Sequence, residues 1–98
     1  MDPVVTAVAR QLRTLFPLEG LYLFNVKRDL DGAITAFKLC AVVAGGDKQV
    51  LERRVYRSVD CEIPFDILFY TVTEWRAMLA DANSFASRIQ RLGREIIG

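Results

Sequence analysis

Residues Leu21 to Val43, LYLFNVKRDLDGAITAFKLCAVV, decide the fold, because they read as two apolar strands joined by a polar, charged loop. Leu21 to Phe24 is a short continuous apolar run of the kind that suits a strand buried on both faces; a buried helix has the same composition. From Ile34 onward, Phe37, Leu39, Ala41 and Val43 fall on one face. Lys38, Cys40 and Val42, preceded by Thr35 or Ala36, are available to the other. The loop from Asn25 to Gly32 carries Lys27, Arg28, Asp29 and Asp31. Where the two strands end is the expected place for any chemistry.

Outward from this hairpin, the preceding segment is a helix. Asp2 is an N-cap, and Pro3 suits the first helical position because its missing N–H has no partner to lose there. Val5, Val8, Leu12 and Leu15 recur at helical spacing, and the helix is expected to stop at about Phe16, ahead of Pro17. After the second strand, Gly45 and Gly46 break the pattern. Asp47 then caps a helix to about Ser58 in which Val50 or Leu51, Val55 and Val59 face inward; a Gly-Gly-Asp hairpin is the alternative.

Ile63 to Tyr70, IPFDILFY, is a third strand, with Pro64 near its start where a missing donor is tolerable. Thr71 and Glu74 fit a capping box for the helix that follows, with Trp75, Met78 and Leu79 as its apolar stripe and Trp75 expected in the core. Asn83 or Ser84 caps a last helix in which Phe85, Ile89 and Leu92 line up and which Gly93 ends. Ile96 and Ile97 supply a short edge strand.

The 98 residues are expected to make a single domain spanning 1–98, long enough to bury ~60–70% of the unfolded surface. At 52% hydrophobic and 26% charged, with a net charge of +1, the composition gives no global electrostatic case for a membrane or nucleic-acid partner. No apolar run reaches membrane-spanning length. Cys40 and Cys61 have no CxxC spacing and the chain has no histidine, which argues against zinc. Both are expected as small buried hydrophobes in a reducing, cytoplasmic setting, since no signal peptide is evident. Arg53, Arg54, Arg57, Arg88 and Arg91 would form a basic patch only if their two helices were adjacent. Interleaved Glu52, Asp60, Asp81 and Glu95 favour a solvated, ion-paired surface instead.

With LYLF at 21–24, KLCAVV at 38–43, IPFDILFYT at 63–71 and a closing pair of helices, the chain resembles, nearly end to end, the minimal, antitoxin-like nucleotidyltransferase domain of the polymerase-beta superfamily. The resemblance implies an α/β (α+β) fold, a small mixed β-sheet packed by about four helices. In that family a Gly-Ser pair follows the first strand and holds the nucleotide phosphates, an Asp-x-Asp opens the second, and a third carboxylate sits in the third. Here Asn25 and Val26 stand for Gly-Ser, Ala36 and Lys38 for the two aspartates, and only Asp66 matches. Nucleotidyl transfer needs Mg²⁺ held by closely spaced carboxylates, and an ammonium at one of those positions opposes the cation.

The resemblance therefore implies the fold but argues against the activity. The degenerate nucleotide-site positions are Asn25, Val26, Lys27, Ala36, Lys38 and Asp66, with no catalytic or metal-ligating residue and no cofactor. If Lys38 and Asp66 meet on neighbouring strands, a salt bridge between them would neutralise the vacated charge; with a different register, both simply reach solvent. The expected function is a catalytically inactive nucleotidyltransferase-like domain working as a protein-interaction or regulatory module. A protein partner or self-association is implied by resemblance to antitoxins. The alternatives are a metal-independent nucleotide or phosphate binder using Lys27, Arg28 and Lys38, and an active enzyme that recruits Asp29, Asp31 or Asp66.

Overall fold

In the computed structural model, which describes residues 2–97, the elements follow in the order α1 (Pro3–Leu15), β1 (Gly20–Arg28), β2 (Ile34–Val43), α2 (Lys48–Ser58), β3 (Phe65–Thr71), α3 (Val72–Leu79), α4 (Phe85–Leu92) and β4 (Arg94–Ile97). The strands form one mixed sheet in the order β3-β2-β1-β4. Strand β2 pairs antiparallel with β1 and parallel with β3, and β4 closes the far edge antiparallel to β1. The α+β class expected from the sequence is the class observed.

The register explains the core. Leu23, Leu39 and Ile67 lie abreast across β1, β2 and β3, as do Leu21, Ala41 and Phe69, and all six are buried on one face. The alternation along β2 sends Cys40 and Val42 to the other face, where they meet Tyr22, Trp75, Ala86 and Ile89. Each large aliphatic or aromatic side chain so enclosed contributes about 1.5–3 kcal/mol through removal from water.

Helices α1 and α2 cover the first face. Asp2 Oδ1 accepts the Val4 N–H at 2.9 Å, and Val5, Val8, Ala9 and Leu12 form the buried stripe. In α2, Val55 is fully buried and Leu51 packs against the same core, while Val50 is exposed, so the inward choice falls on Leu51. The Gln11 amide holds both the Asp60 carbonyl and its N–H, fastening the link between α2 and β3 onto α1.

Helices α3 and α4 cover the second face. The capping box is complete: Thr71 Oγ1 accepts from Glu74 N–H at 3.1 Å, and Glu74 Oε1 accepts from Thr71 N–H at 3.0 Å. Trp75 stacks on Tyr22 with ring centroids 5.1 Å apart. Ser84 is the N-cap of α4. Leu92 is 79% exposed rather than inward, so the packed residues of α4 are the buried Ala86 and Ile89 and the partly buried Phe85. Gly93 is required sterically, since a Cβ there would stand 2.7 Å from the Ile89 carbonyl oxygen and 3.0 Å from that of Leu23.

Because α2 and α4 pack on opposite faces, the arginines of the two helices do not combine into one basic patch. Arg54 instead lies 5.3 Å over the Phe16 ring, and Arg91 Nη1 donates to the Ala82 carbonyl. Cys40 and Cys61 are free thiols; Cys40 is buried in the second core, and Cys61 is half-buried at the margin of the first. Among the described residues, no helix is long and apolar enough to cross a membrane.

Candidate functional site

Half of the charged loop expected between the first two strands is strand. Asn25 to Arg28 continue β1, and only Asp29 to Ala33 turn. Two opposed irregularities make this possible. Between Phe24 and Lys27, β1 takes three steps while β2 takes two, from Lys38 to Ala36; between Lys27 and Arg28 the extra residue is on β2. The first bulge sits at Asn25, whose φ of 47° is the left-handed conformation that asparagine tolerates better than most side chains.

The bulge separates residues that simple alternation would have grouped. Asn25, Lys27, Ala36, Lys38 and Asp66 surround a cavity of about 110 Å³ at the ends of the strands, closed behind by Pro64 and Phe65. Val26 turns the other way and packs against the first core. Five of the six positions singled out from the sequence thus converge, and Val26 does not.

Phe24, Lys38 and Asp66 form one row across β1, β2 and β3 on the face that carries α3 and α4. Lys38 and Asp66 are direct neighbours in the parallel register, and both are exposed. The salt bridge between them does not form. Among the described residues the one ion pair within 4.0 Å is Lys48 with Glu74. Two hydrated charges at an open strand end gain little by closing on each other and would lose side-chain freedom in doing so.

The same row opens into a wider depression of about 410 Å³. Phe24, Leu68, Tyr56 and Phe85 give it apolar walls, and Glu52, Lys38 and Asp66 also line it. Here the reading from sequence missed the contribution of α2. Tyr56 follows the buried Val55 by one position, and its hydroxyl accepts the Ile67 N–H at 3.2 Å, occupying a backbone donor on the free edge of β3. A lone tyrosine among the arginines of α2 was the available signal.

Asp29 and Asp31 lie at the turn, away from Asp66. Asp29 Oδ1 accepts from the N–H groups of Asp31 and Ala33 at 2.9 and 3.0 Å, so its carboxylate is committed to shaping the turn. Among the described residues no three His, Cys, Asp or Glu side chains converge as a metal site would require. The donor set at the strand ends, one carboxylate beside an ammonium, does not fit the paired Mg²⁺ ions of nucleotidyl transfer. One row along from Lys38, burial pushes the Cys40 thiol up to about 12, so it carries no thiolate for nucleophilic attack near neutral pH.

Compared with protein-family models, with curated proteins and with solved structures, the chain matches none.

Proposed function

We propose that this chain is a nucleotidyltransferase-like domain without transfer chemistry, working as a protein-interaction or regulatory module. The observation that carries the reading is the parallel register that sets Lys38 beside Asp66. In the superfamily the chain resembles, that neighbour is a carboxylate and the two acids share divalent cations. An amine in its place removes a ligand and adds a like charge, and Ala36 offers no oxygen at all. What remains is an open, partly apolar depression lined also by unpaired charges, a surface suited to another macromolecule.

A phosphate-binding alternative has one observation in its favour, since Lys27 and Lys38 both line the smaller cavity. Asp66 lines it too, and its charge opposes an anion there. Thermal unfolding with ATP, with and without Mg²⁺, separates the readings. A module for macromolecular contacts shows no shift in either condition. A phosphate binder shifts without the metal, and a shift that requires Mg²⁺, with nucleotide turnover, contradicts the proposal.

A further inference from the structure

We infer that three side chains on one flank of α2, Lys48, Glu52 and Tyr56, form a strap across the free edge of β3 that keeps the sheet from extending into a second copy of the chain.

The edge needs covering. β3 is an outermost strand, and its sequence from Phe65 to Thr71, FDILFYT, is apolar and β-favouring, with one charge and neither glycine nor proline. With a bare edge, a strand of that composition is a template for pairing between copies. The Phe37 N–H donates to the Pro64 carbonyl at 3.4 Å, so Pro64, Asp66, Leu68 and Tyr70 turn their backbone groups towards β2. Phe65, Ile67, Phe69 and Thr71 turn theirs outward. The opposite edge of the sheet is blunted by its own build. β4 has four residues, exposed charges at Arg94 and Glu95, and an extra residue where Leu21 and Tyr22 pair with Ile97 and Glu95. β3 pairs in unbroken register over all seven residues and has no such defect.

α2 supplies what β3 lacks. Lys48, Glu52 and Tyr56 are spaced by four residues and so lie along one flank of the helix, beside the inward Leu51 and Val55. Four helical residues rise about 6 Å and two strand residues about 6.6 Å, so the three side chains keep step with alternate residues of β3. Tyr56 meets Ile67, whose N–H its hydroxyl accepts at 3.2 Å. At the other end Lys48 lies over the Tyr70 ring and binds Glu74, whose second oxygen takes the Thr71 N–H. Two outward donors of the edge, four residues apart, are thus already occupied. Glu52 falls between them, and with Tyr56 it reaches past the edge to border the depression beside Leu68. An incoming strand would have to displace the Tyr56 hydroxyl and strip water from the charges of Lys48 and Glu52.

Hydrogen exchange of single amides, with sedimentation equilibrium over about 1 to 200 µM, tests the strap. In the wild-type chain, exchange of the Phe69 amide is expected to be independent of concentration, because no second chain reaches the edge. Tyr56→Phe keeps the ring and removes the hydroxyl. It should speed exchange of the Ile67 amide by about fivefold or more and leave that of Leu39 unchanged. Lys48→Ala, Glu52→Ala and Tyr56→Ala together keep α2 helical and its inward residues intact. That triple variant is expected to form a reversible dimer in which the Phe69 amide gains protection as concentration rises. A folded triple variant that stays monomeric, or that dimerises with Phe69 still open to exchange, overturns the inference. So does a wild-type chain whose Phe69 amide gains protection with concentration. If the triple variant does not fold, Tyr56→Phe decides, and Ile67 exchange at the wild-type rate overturns the strap.

Discussion

Lys48 Nζ lies 2.6 Å from Glu74 Oε2 and 5.0 Å from the centroid of the Tyr70 ring, so the first residue of α2 reaches past the β3 edge to the first turn of α3. The pair joins helices that cover opposite faces of the sheet. Glu74 has a second task, since its other oxygen holds the Thr71 N–H in the capping box. The Lys48 hydrogen bond first, and the Thr71 N–H second, hold the Glu74 carboxyl below its ordinary value.

A depressed carboxyl stabilises the fold above its unfolded value, and that contribution is lost as pH falls through the folded value. Lys48→Met is therefore expected to lower stability at neutral pH by a small amount, in keeping with a half-exposed pair, and to lose that deficit in acid. Urea unfolding of both chains at about pH 7 and about pH 3 measures it. A deficit that is equal at both values would show that Lys48 acts through packing on Tyr70 instead.

Gly93 governs how α4 hands over to β4. A methyl group there would press on two backbone carbonyl oxygens, neither at the end of a flexible side chain. Gly93→Ala is expected to cost about 1–3 kcal/mol, with amide exchange rising first in β4. Leu39→Ala, which opens a cavity in the middle of the sheet, is expected to cost about 2–5 kcal/mol and to raise exchange throughout. Equal patterns of exchange in the two variants would remove the distinction.

The two thiols should report separately on the fold. Cys61 is half-buried in a segment of little regular structure, whereas Cys40 is fully enclosed and its thiol is raised to about 12 by burial. A disulfide reagent at neutral pH is expected to modify one thiol per native chain promptly and the second only at the rate of unfolding. Cys61→Ser should remove the prompt phase; prompt labelling that survives in that variant would place Cys40 within reach of solvent.

Much of this architecture was legible because its signals are local. The Asp2 cap, the stripe of Val5, Val8 and Leu12, and the Thr71–Glu74 box each involve residues a few positions apart, and α1 and α3 begin where those residues place them. The extension of β1 was not legible. From Asn25 to Arg28 only Val26 packs inward, and the bulge at Asn25 interrupts the period of two, so no run of alternating apolar residues marks the strand. Leu92 shares the helical spacing of Phe85 and Ile89 but falls at the open end of α4, beyond the sheet that buries Ile89. The pairing of Lys38 with Asp66 joins residues far apart in the chain, and no local rule supplies it.

With an amine beside Asp66, the strand ends are expected to be unable to hold a divalent cation. Electron paramagnetic resonance of Mn²⁺ titrated with the chain, in the presence of a non-hydrolysable ATP analogue, tests it most directly. The expected result is a free-ion signal that the wild-type chain does not diminish, and site formation only on restoring the acids with Ala36→Asp and Lys38→Asp together. Saturable Mn²⁺ binding by the wild-type chain that Asp66→Asn abolishes would contradict it.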